Sequence, residues 1–418
     1  MAQKNYIESV SILHPVCCGI DVHKNKITST LVYEHKGETY FEVRECSAFT
    51  DELTKLRDWL LEYQCPVVAM ESTGIYWRPV HNILENHIKV VLVNARHYKN
   101  VPGRKTDIGD SQWLAELLRY GLVKGSFIPP AEVRRWRDLT NQRKQFVRSE
   151  SDFRRRVQKL FETANIKIDS VVSDIFGVSG RNLMETLLAV PSETITLDMV
   201  KSCLRGRLIK KADELFRAIK GFFNDHHRFL LRSYLDVIDL FRGKIDTLDL
   251  TIQDVMKKEK DLIRRLDDIP GLGPVAIATI LSLIGPTLKN FSSSAALCSW
   301  AGVCPGNNES AGKRRSGRSP VRKHPLKEIL VEVAWAAIKV SGSFYKDKYY
   351  RLKARRGAKR AIVGIAHRIL KAIYNIVKDG QKYRELGDEY LAKRNEKLKF
   401  KRLKKQAKQF GFTLTALA

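Results

Sequence analysis

Four carboxylates stand at three places in the chain where oxygen ligands for a hard cation would be expected. Asp21 closes one apolar run, Val16-Cys-Cys-Gly-Ile-Asp-Val-His-Lys24, and Glu71 closes another, Val67-Val-Ala-Met-Glu-Ser-Thr-Gly74. Asp107 and Asp110 lie three apart in Lys105-Thr-Asp-Ile-Gly-Asp110, so on one helical turn both can face one point. Mg²⁺ takes such ligands, and two ions roughly 3.5–4 Å apart stabilise the attacking and leaving oxygens of a phosphoryl transfer. Taken singly, an Asp at a strand end is a cap or turn residue, and an Asp-x-x-Asp pair on a helix is solvated surface. The catalytic reading rests on all four acids occurring in this order. His23, just past Asp21, either assists there or is a polar strand-end residue. Further on, Asn307-Asn-Glu-Ser-Ala-Gly-Lys-Arg-Arg-Ser-Gly-Arg318 sets Ser310 beside Lys313, Arg314, Arg315 and Arg318. A basic loop of this kind can bind a phosphate and lower the cost of a serine alkoxide, although such a serine can also merely bind phosphate or solvent.

The elements that must position the acids follow from hydrophobic pattern. Residues 16–22 have the character of a central strand; Ile27 to Tyr33 and Thr39 to Val43 alternate around His35-Lys36-Gly37, as in a hairpin. A helical stripe over Asp51–Tyr63 comes next, followed by a strand at 66–71 delivering Glu71, a helix from Ile75 to Asn86 and a strand from Ile88 to Val93. A last helix begins near Thr106, a good N-cap. The order βββ-α-β-α-β-α is that of an α/β RNase H-like (RuvC-like) domain, over residues 1–130.

Residues 131–265 read as a helical, coiled-coil linker. Val133, Trp136, Leu139, Phe146, Phe153, Val157 and Leu160 form one seam, interrupted by Arg143 and Glu150; Leu231, Tyr234, Ile238, Phe241, Ile245, Leu248, Ile252 and Val255 form a second. The two seams can pair within the chain or between chains. Between them, residues 165–225 read as short helices broken at Gly177, Gly180 and Pro191. Arg134, Arg135 and the arginines after them are either solvated surface or, since the sign is one-sided, contacts to a phosphate backbone. Residues 266–345 carry the serine block and, at Ile269-Pro-Gly-Leu-Gly-Pro274, a turn resembling a helix-hairpin-helix, whose N–H groups can hold a phosphate. The remainder, 346–418, is basic and mainly helical. Tyr349 and Tyr350 suit base stacking or plain packing, and Lys393–Lys408 suits a helix or tail that orders on nucleic acid.

Composition narrows the partners. Over 418 residues, 74 Lys and Arg oppose 46 Asp and Glu, a formal charge of +28, which favours a polyanion such as nucleic acid. No apolar run reaches a bilayer's span and no signal peptide opens the chain, so a cytosolic, non-membrane protein is expected. Seven cysteines without metal-ligand spacing fit reduced thiols.

Taken together, Gly19-Ile-Asp-Val-His-Lys24, Glu71-Ser-Thr-Gly74, Lys105-Thr-Asp-Ile-Gly-Asp110, Ile269-Pro-Gly-Leu-Gly273 and Trp300-Ala-Gly-Val-Cys-Pro-Gly-Asn-Asn-Glu-Ser-Ala-Gly-Lys313 resemble the blocks of the insertion-sequence 110 transposases, relatives of Piv-type DNA invertases, in that family's order. The resemblance implies a RuvC-like domain with an Asp-Glu-Asp-Asp site, a coiled-coil linker, and a C-terminal transposase domain whose serine acts with the acidic site in trans. Block by block, the acids are Asp21, Glu71, Asp107 and Asp110, and the serine is Ser310, with Ser316 and Ser319 close by. It further implies Mg²⁺, donor and target DNA, a structured non-coding RNA that bridges them, and a tetramer built of two dimers, in a bacterial or archaeal cytoplasm on the nucleoid. Competing readings are a Holliday-junction-type endonuclease that uses water instead of serine, a dedicated invertase, and a non-catalytic nucleic-acid-binding protein.

Overall fold

The computed structural model describes residues 11–72, 74–93, 107–123, 125–306, 308–310, 313–316 and 324–413, with backbone alone for 107–108, 308–310, 313–316 and 397. The chain divides into two compact units between Ile128 and Pro129.

In the first unit the elements run β1 (Cys17–Val22), β2 (Lys26–His35), β3 (Glu38–Ser47), α1 (Thr50–Glu62), β4 (Val67–Glu71), α2 (Trp77–Leu84), β5 (Lys89–Val93) and α3 (Asp107–Arg119). They build one mixed sheet in the order β3-β2-β1-β4-β5. The first three strands are antiparallel, while β4 and β5 continue from β1 in parallel. Lys36 and Gly37 both take positive φ, 51° and 82°, between the paired residues His35 and Glu38. That is a two-residue turn whose twist suits a hairpin. The N-cap expected at Thr106 lies outside the described residues.

β1 is central and buried on both faces. Cys18, Ile20 and Val22 pack with Leu53, Leu56, Trp59 and Leu60 of α1 and with Val80 and Leu84 of α2. Cys17, with Val67, Ala69 and Val93, packs instead on Leu114, Ala115, Leu117 and Leu118 of α3. The alternation follows from the strand's period of two. Gly19 sits where α3 comes closest: a Cβ there would meet the Ser111 carbonyl at 2.1 Å and the Ala115 nitrogen at 2.5 Å. Two hydrogen bonds fix the same contact, Thr30 Oγ1 with Ser111 Oγ at 2.8 Å and the Cys17 thiol to the Ala115 carbonyl at 3.5 Å.

The second unit is mainly helical. α4 (Ala131–Thr163) is followed by short helices up to Ala218, then by α5 (Asp225–Val255), α6 (Lys260–Asp267), α7 (Pro274–Ile284) and α8 (Ser294–Trp300). A hairpin, β6 (Asn308–Ser310) and β7 (Lys313–Ser316), precedes α9 (Pro325–Ala337), α10 (Phe344–Arg356), α11 (Ala358–Asp379) and α12 (Tyr390–Gln409). One core joins the end of α4 and the start of α5 with the short helices; the other joins α6 to α11 with Val133 and Trp136. Between these cores α4 and α5 pack on one another within the chain, in antiparallel sense, since Phe146 meets Phe241 and Phe153 meets Tyr234. The charged interruptions of the seam are used across this pair. Arg143 donates to Asp249 at 2.9 Å, and buried Glu150 accepts from Arg154 on its own helix and Arg242 opposite.

Two glycines differ from their expected roles. Gly180 does not break a helix but lies inside one, Val178–Ala189, where a Cβ would meet the Ile175 carbonyl at 2.1 Å. Gly271, with φ +80°, lets the turn between α6 and α7 close on α9, where a Cβ would meet the Ala337 nitrogen at 2.4 Å. Among the aromatics of α10, Tyr345 and Tyr349 are core residues and Tyr350 is exposed.

The close approach at Gly19 makes it the most sensitive position of the sheet. Gly19→Ala should cost about 3 kcal/mol or more, because backbone rather than a movable side chain occupies the space. Gly243→Ala, on α5 with nothing within 4 Å of the added carbon, should instead gain about 0.5–1 kcal/mol. Thermal or urea unfolding of the two variants beside the wild type checks both. Burial pushes the Cys17 thiol up to about 12 and the Cys65 thiol to about 11, so both stay neutral at pH 8. Iodoacetamide at that pH should leave them unlabelled in the native protein and label both in guanidinium, read by mass spectrometry.

Candidate active site

Register places the first two acids. Ile20 pairs with Met70 across the parallel β1–β4 junction, so Asp21 and Glu71, one residue further on, stand level at the ends of neighbouring strands. Both share the parity of Gly19 and Ala69, and therefore lie on the side of the sheet that α3 covers. Since α3 touches Gly19 through Ser111 and Ala115 and touches Cys17 through Ala115, it runs against the direction of β1. Two strand residues advance about 6.6 Å, which matches four to five helical residues. Thus the first turn of α3, which carries positions 107 and 110, lies over the end of β1 that bears Asp21.

The side chains differ in their surroundings. Asp21 is 7% exposed, and its Oδ2 lies 3.0 Å from Nε2 of His23, which is mostly in solvent. Glu71 and Asp110 are half-buried. The Asp107 side chain is outside the described residues, as are Lys105, Arg318 and Ser319 altogether. Among the described residues no three His, Cys, Asp or Glu side chains gather closely enough to hold a metal ion. What is brought together is the pair Asp21 and Glu71, with Asp110 on the covering helix. This donor set fits a divalent cation bound through oxygen: a carboxylate as buried as Asp21 is costly unless positive charge or hydrogen bonds answer it. The buried thiols of Cys17 and Cys18, held neutral by burial, do not compete as ligands.

Ser310 is the last residue of β6, paired in register with Lys313, the first of β7. The serine block is therefore a two-stranded hairpin rather than an open loop, with Lys313, Arg314 and Arg315 on its second strand and Ser316 at its end. It follows α8 and precedes His324, whose Nδ1 accepts from the Leu326 amide and so caps α9. Trp300, at the end of α8, packs edge-on against His324 with ring centroids 4.4 Å apart.

The arginines of α4 divide by use. Arg134 donates to the Pro129 carbonyl, and Arg137 donates to the Ser282 and Leu283 carbonyls, both at 3.1 Å. Those two carbonyls are at the end of α7, where a helix lacks internal donors. Arg135 is exposed, and Arg148, also exposed, lies 4.0 Å from the Glu328 carboxylate. Two positioning features had gone unrecognised in the sequence: the Thr30–Ser111 hydrogen bond and the role of Gly19. A glycine within a run of strand-forming residues was the available signal for the second.

Comparison with known proteins shows what the chain is similar to. A family model described as a transposase matches residues 18–166, and another, described as the transposase IS116/IS110/IS902 family, matches residues 263–351. A mini-circle putative transposase for IS117 from Streptomyces coelicolor is 25% identical over 381 residues, covering 82% of this chain and 88% of that protein. The putative transposase y4pF/y4sB of Sinorhizobium fredii is 26% identical over 147 residues, 34% of this chain and 38% of that protein. Among solved structures, RuvC of Thermus thermophilus aligns with 16% identity and a TM-score of 0.20, covering 27% of this chain and 99% of that one. With one model spanning the sheet unit and the start of the helical unit, and the other spanning the serine hairpin, the chain belongs to the IS116/IS110/IS902 family of transposases.

Proposed function

We propose that the protein recombines DNA by breaking and rejoining strands, with the acids Asp21, Glu71, Asp107 and Asp110 of an RNase H-like (RuvC-like) domain holding Mg²⁺ and Ser310 as the nucleophile. The observation that carries this reading is the level placement of Asp21 and Glu71 at the ends of adjacent parallel strands, under the helix turn that bears the other two acids. When bound, the metal supplies charge stabilisation for the phosphorane-like transition state and orients the scissile phosphate. The acids fix that charge on a rigid sheet. The Ser310 hydroxyl oxygen forms a bond to phosphorus while the bond from phosphorus to the departing strand's oxygen breaks. The serine's proton ends, directly or through solvent, on that departing oxygen, which becomes a free hydroxyl. Attack of a hydroxyl from the exchanged strand reverses these steps, so the phosphodiester count is unchanged and no external energy source is needed. Lys105, Lys313, Arg314, Arg315 and Arg318, with Arg134 and Arg135, supply positive charge for the phosphate and its neighbours.

Donor and target DNA are the substrates. A structured non-coding RNA that pairs with both, an assembly of two dimers, and a cytoplasmic, nucleoid-associated site of action complete the reading, supported by the family membership and by the +28 charge. Among the described residues no helix is long and apolar enough to cross a membrane.

The test is a denaturing gel of protein, candidate RNA and matching donor DNA incubated with Mg²⁺. Wild type should yield DNA attached to protein. Ser310→Ala should lose the adduct, and Asp21→Ala should slow its formation by on the order of 10²–10⁴-fold, the worth of several kcal/mol of charge stabilisation. Both variants should still bind DNA. Cleaved DNA with no adduct in any sample would favour a hydrolytic nuclease, and retention of the adduct in Ser310→Ala would move the nucleophile to Ser316 or Ser319.

A further inference from the structure

Past Leu391, which is 5% exposed, every residue of α12 whose side chain is described is exposed except Ala407, which is half-buried. Among the described residues the helix meets the rest of the chain at its start, where Leu391 is buried and Tyr390 packs on Phe344. Over Tyr390–Gln409 nine Lys or Arg face a single Glu. At 100° per residue, Lys393, Arg394, Lys401, Lys404, Lys405 and Lys408 fall within one half of the helix surface. Like charges four apart, such as Lys401 and Lys405 or Lys404 and Lys408, repel along the helix and leave it with a deficit that a polyanion removes. Residues 352–418 lie beyond both family models.

We infer that α12 is a DNA-binding helix that enters the major groove of a duplex, with its basic half between the two phosphate backbones. The inference deepens the reading of the protein as acting on DNA. A 20-residue helix is about 30 Å long and 10–12 Å across. The major groove of B-DNA, about 12 Å wide, admits it, whereas that of A-form RNA is too narrow. A second copy of the helix is a poor occupant, because it would set one cationic face on another. A membrane is poor as well. Of the exposed apolar side chains, only Leu403 and Phe410 lie opposite the basic half, while Leu398 and Phe400 border it on either side, so they make no broad apolar face.

The test uses the full chain carrying Lys401→Gln, Lys404→Gln, Lys405→Gln and Lys408→Gln together. Binding to a fluorescein-labelled DNA duplex is followed by anisotropy across a salt series in EDTA. Loss of four phosphate contacts should make the slope of log K against log salt shallower by about three to four, and weaken binding at 0.15 M salt at least tenfold. An RNA duplex of the same length should change little, and the matching quadruple Lys→Arg variant should bind DNA as wild type does. The Gln variant should melt as wild type does, since the substituted side chains are exposed. Unchanged slope and affinity on DNA would overturn the proposal. So would equal loss on both duplexes, or a loss seen only with phosphatidylserine vesicles. Because the duplex is inert and no metal is present, failure here leaves strand exchange untouched. Conversely, loss of strand exchange in Asp21→Ala leaves this binding in place.

Discussion

The contact on which the active-site geometry depends is the backbone-to-backbone approach of α3 to β1 at Gly19. With no side chain at that position, Ser111 and Ala115 rest directly on the strand, and the Thr30–Ser111 hydrogen bond pins the helix in register. Everything acidic in the site inherits its position from this approach. Asp21 lies two residues along the strand from Gly19, and Asp110 lies one residue before Ser111. Glu71 is held by the pairing of β4 with β1, which shares the same buried layer. A shift of α3 by one turn, about 5.4 Å, would carry positions 107 and 110 away from the ends of the strands. Close packing against a core on each face of β1 is what forbids the shift.

Electrostatics in the molecule work at two ranges. The excess of positive charge is not all offered to a partner. Arg137 closes the end of α7, Arg143 is bound to Asp249, and Arg154 and Arg242 converge on Glu150. These guanidiniums hold α4 against its neighbours, and their planar forks suit that task better than ammonium groups would. What remains for nucleic acid is a smaller, positioned set. On the proposed function it would comprise the strand β7, exposed arginines of α4 such as Arg135, and the basic face of α12. Against that background the acids of the sheet are the exception, a local negative site in a positive protein. On the proposed function such a site would draw a cation, while the basic residues elsewhere would draw phosphate.

The sheet was legible in the sequence because its signals are local: alternation, a hairpin turn at Lys36-Gly37, and apolar runs ending on Asp21 and Glu71. The strand order and the levelness of those two acids come from the parallel register of β1 with β4, which local pattern does not specify. The helical unit was legible less fully. The seams of α4 and α5 left their pairing open, and only the antiparallel contacts Phe146–Phe241 and Phe153–Tyr234 show that the two helices meet within one chain. Gly180 and Gly271 read as punctuation, yet they are demanded by tertiary contacts with Ile175 and Ala337. Sequence alone does not show which distant backbone a glycine must admit. The serine block had the composition of a loop, because glycine and clustered like charge are depleted from strands, and it forms a short hairpin all the same.

That hairpin differs physically from the sheet that carries the acids. β6 and β7 contribute three and four residues, and among the described residues no further strand joins them. A two-stranded ribbon of this length is marginal by itself in water. On the proposed function, a phosphate backbone bound by this Lys- and Arg-rich segment would favour its paired form. The acids, by contrast, are set by a closed core whether or not substrate is present. A recombinase gains from such asymmetry. On the proposed function, a serine on such a hairpin would be ordered by the same phosphates it attacks, whereas acids held at the ends of core strands and on the helix packed over them would need no reorganisation at the chemical step.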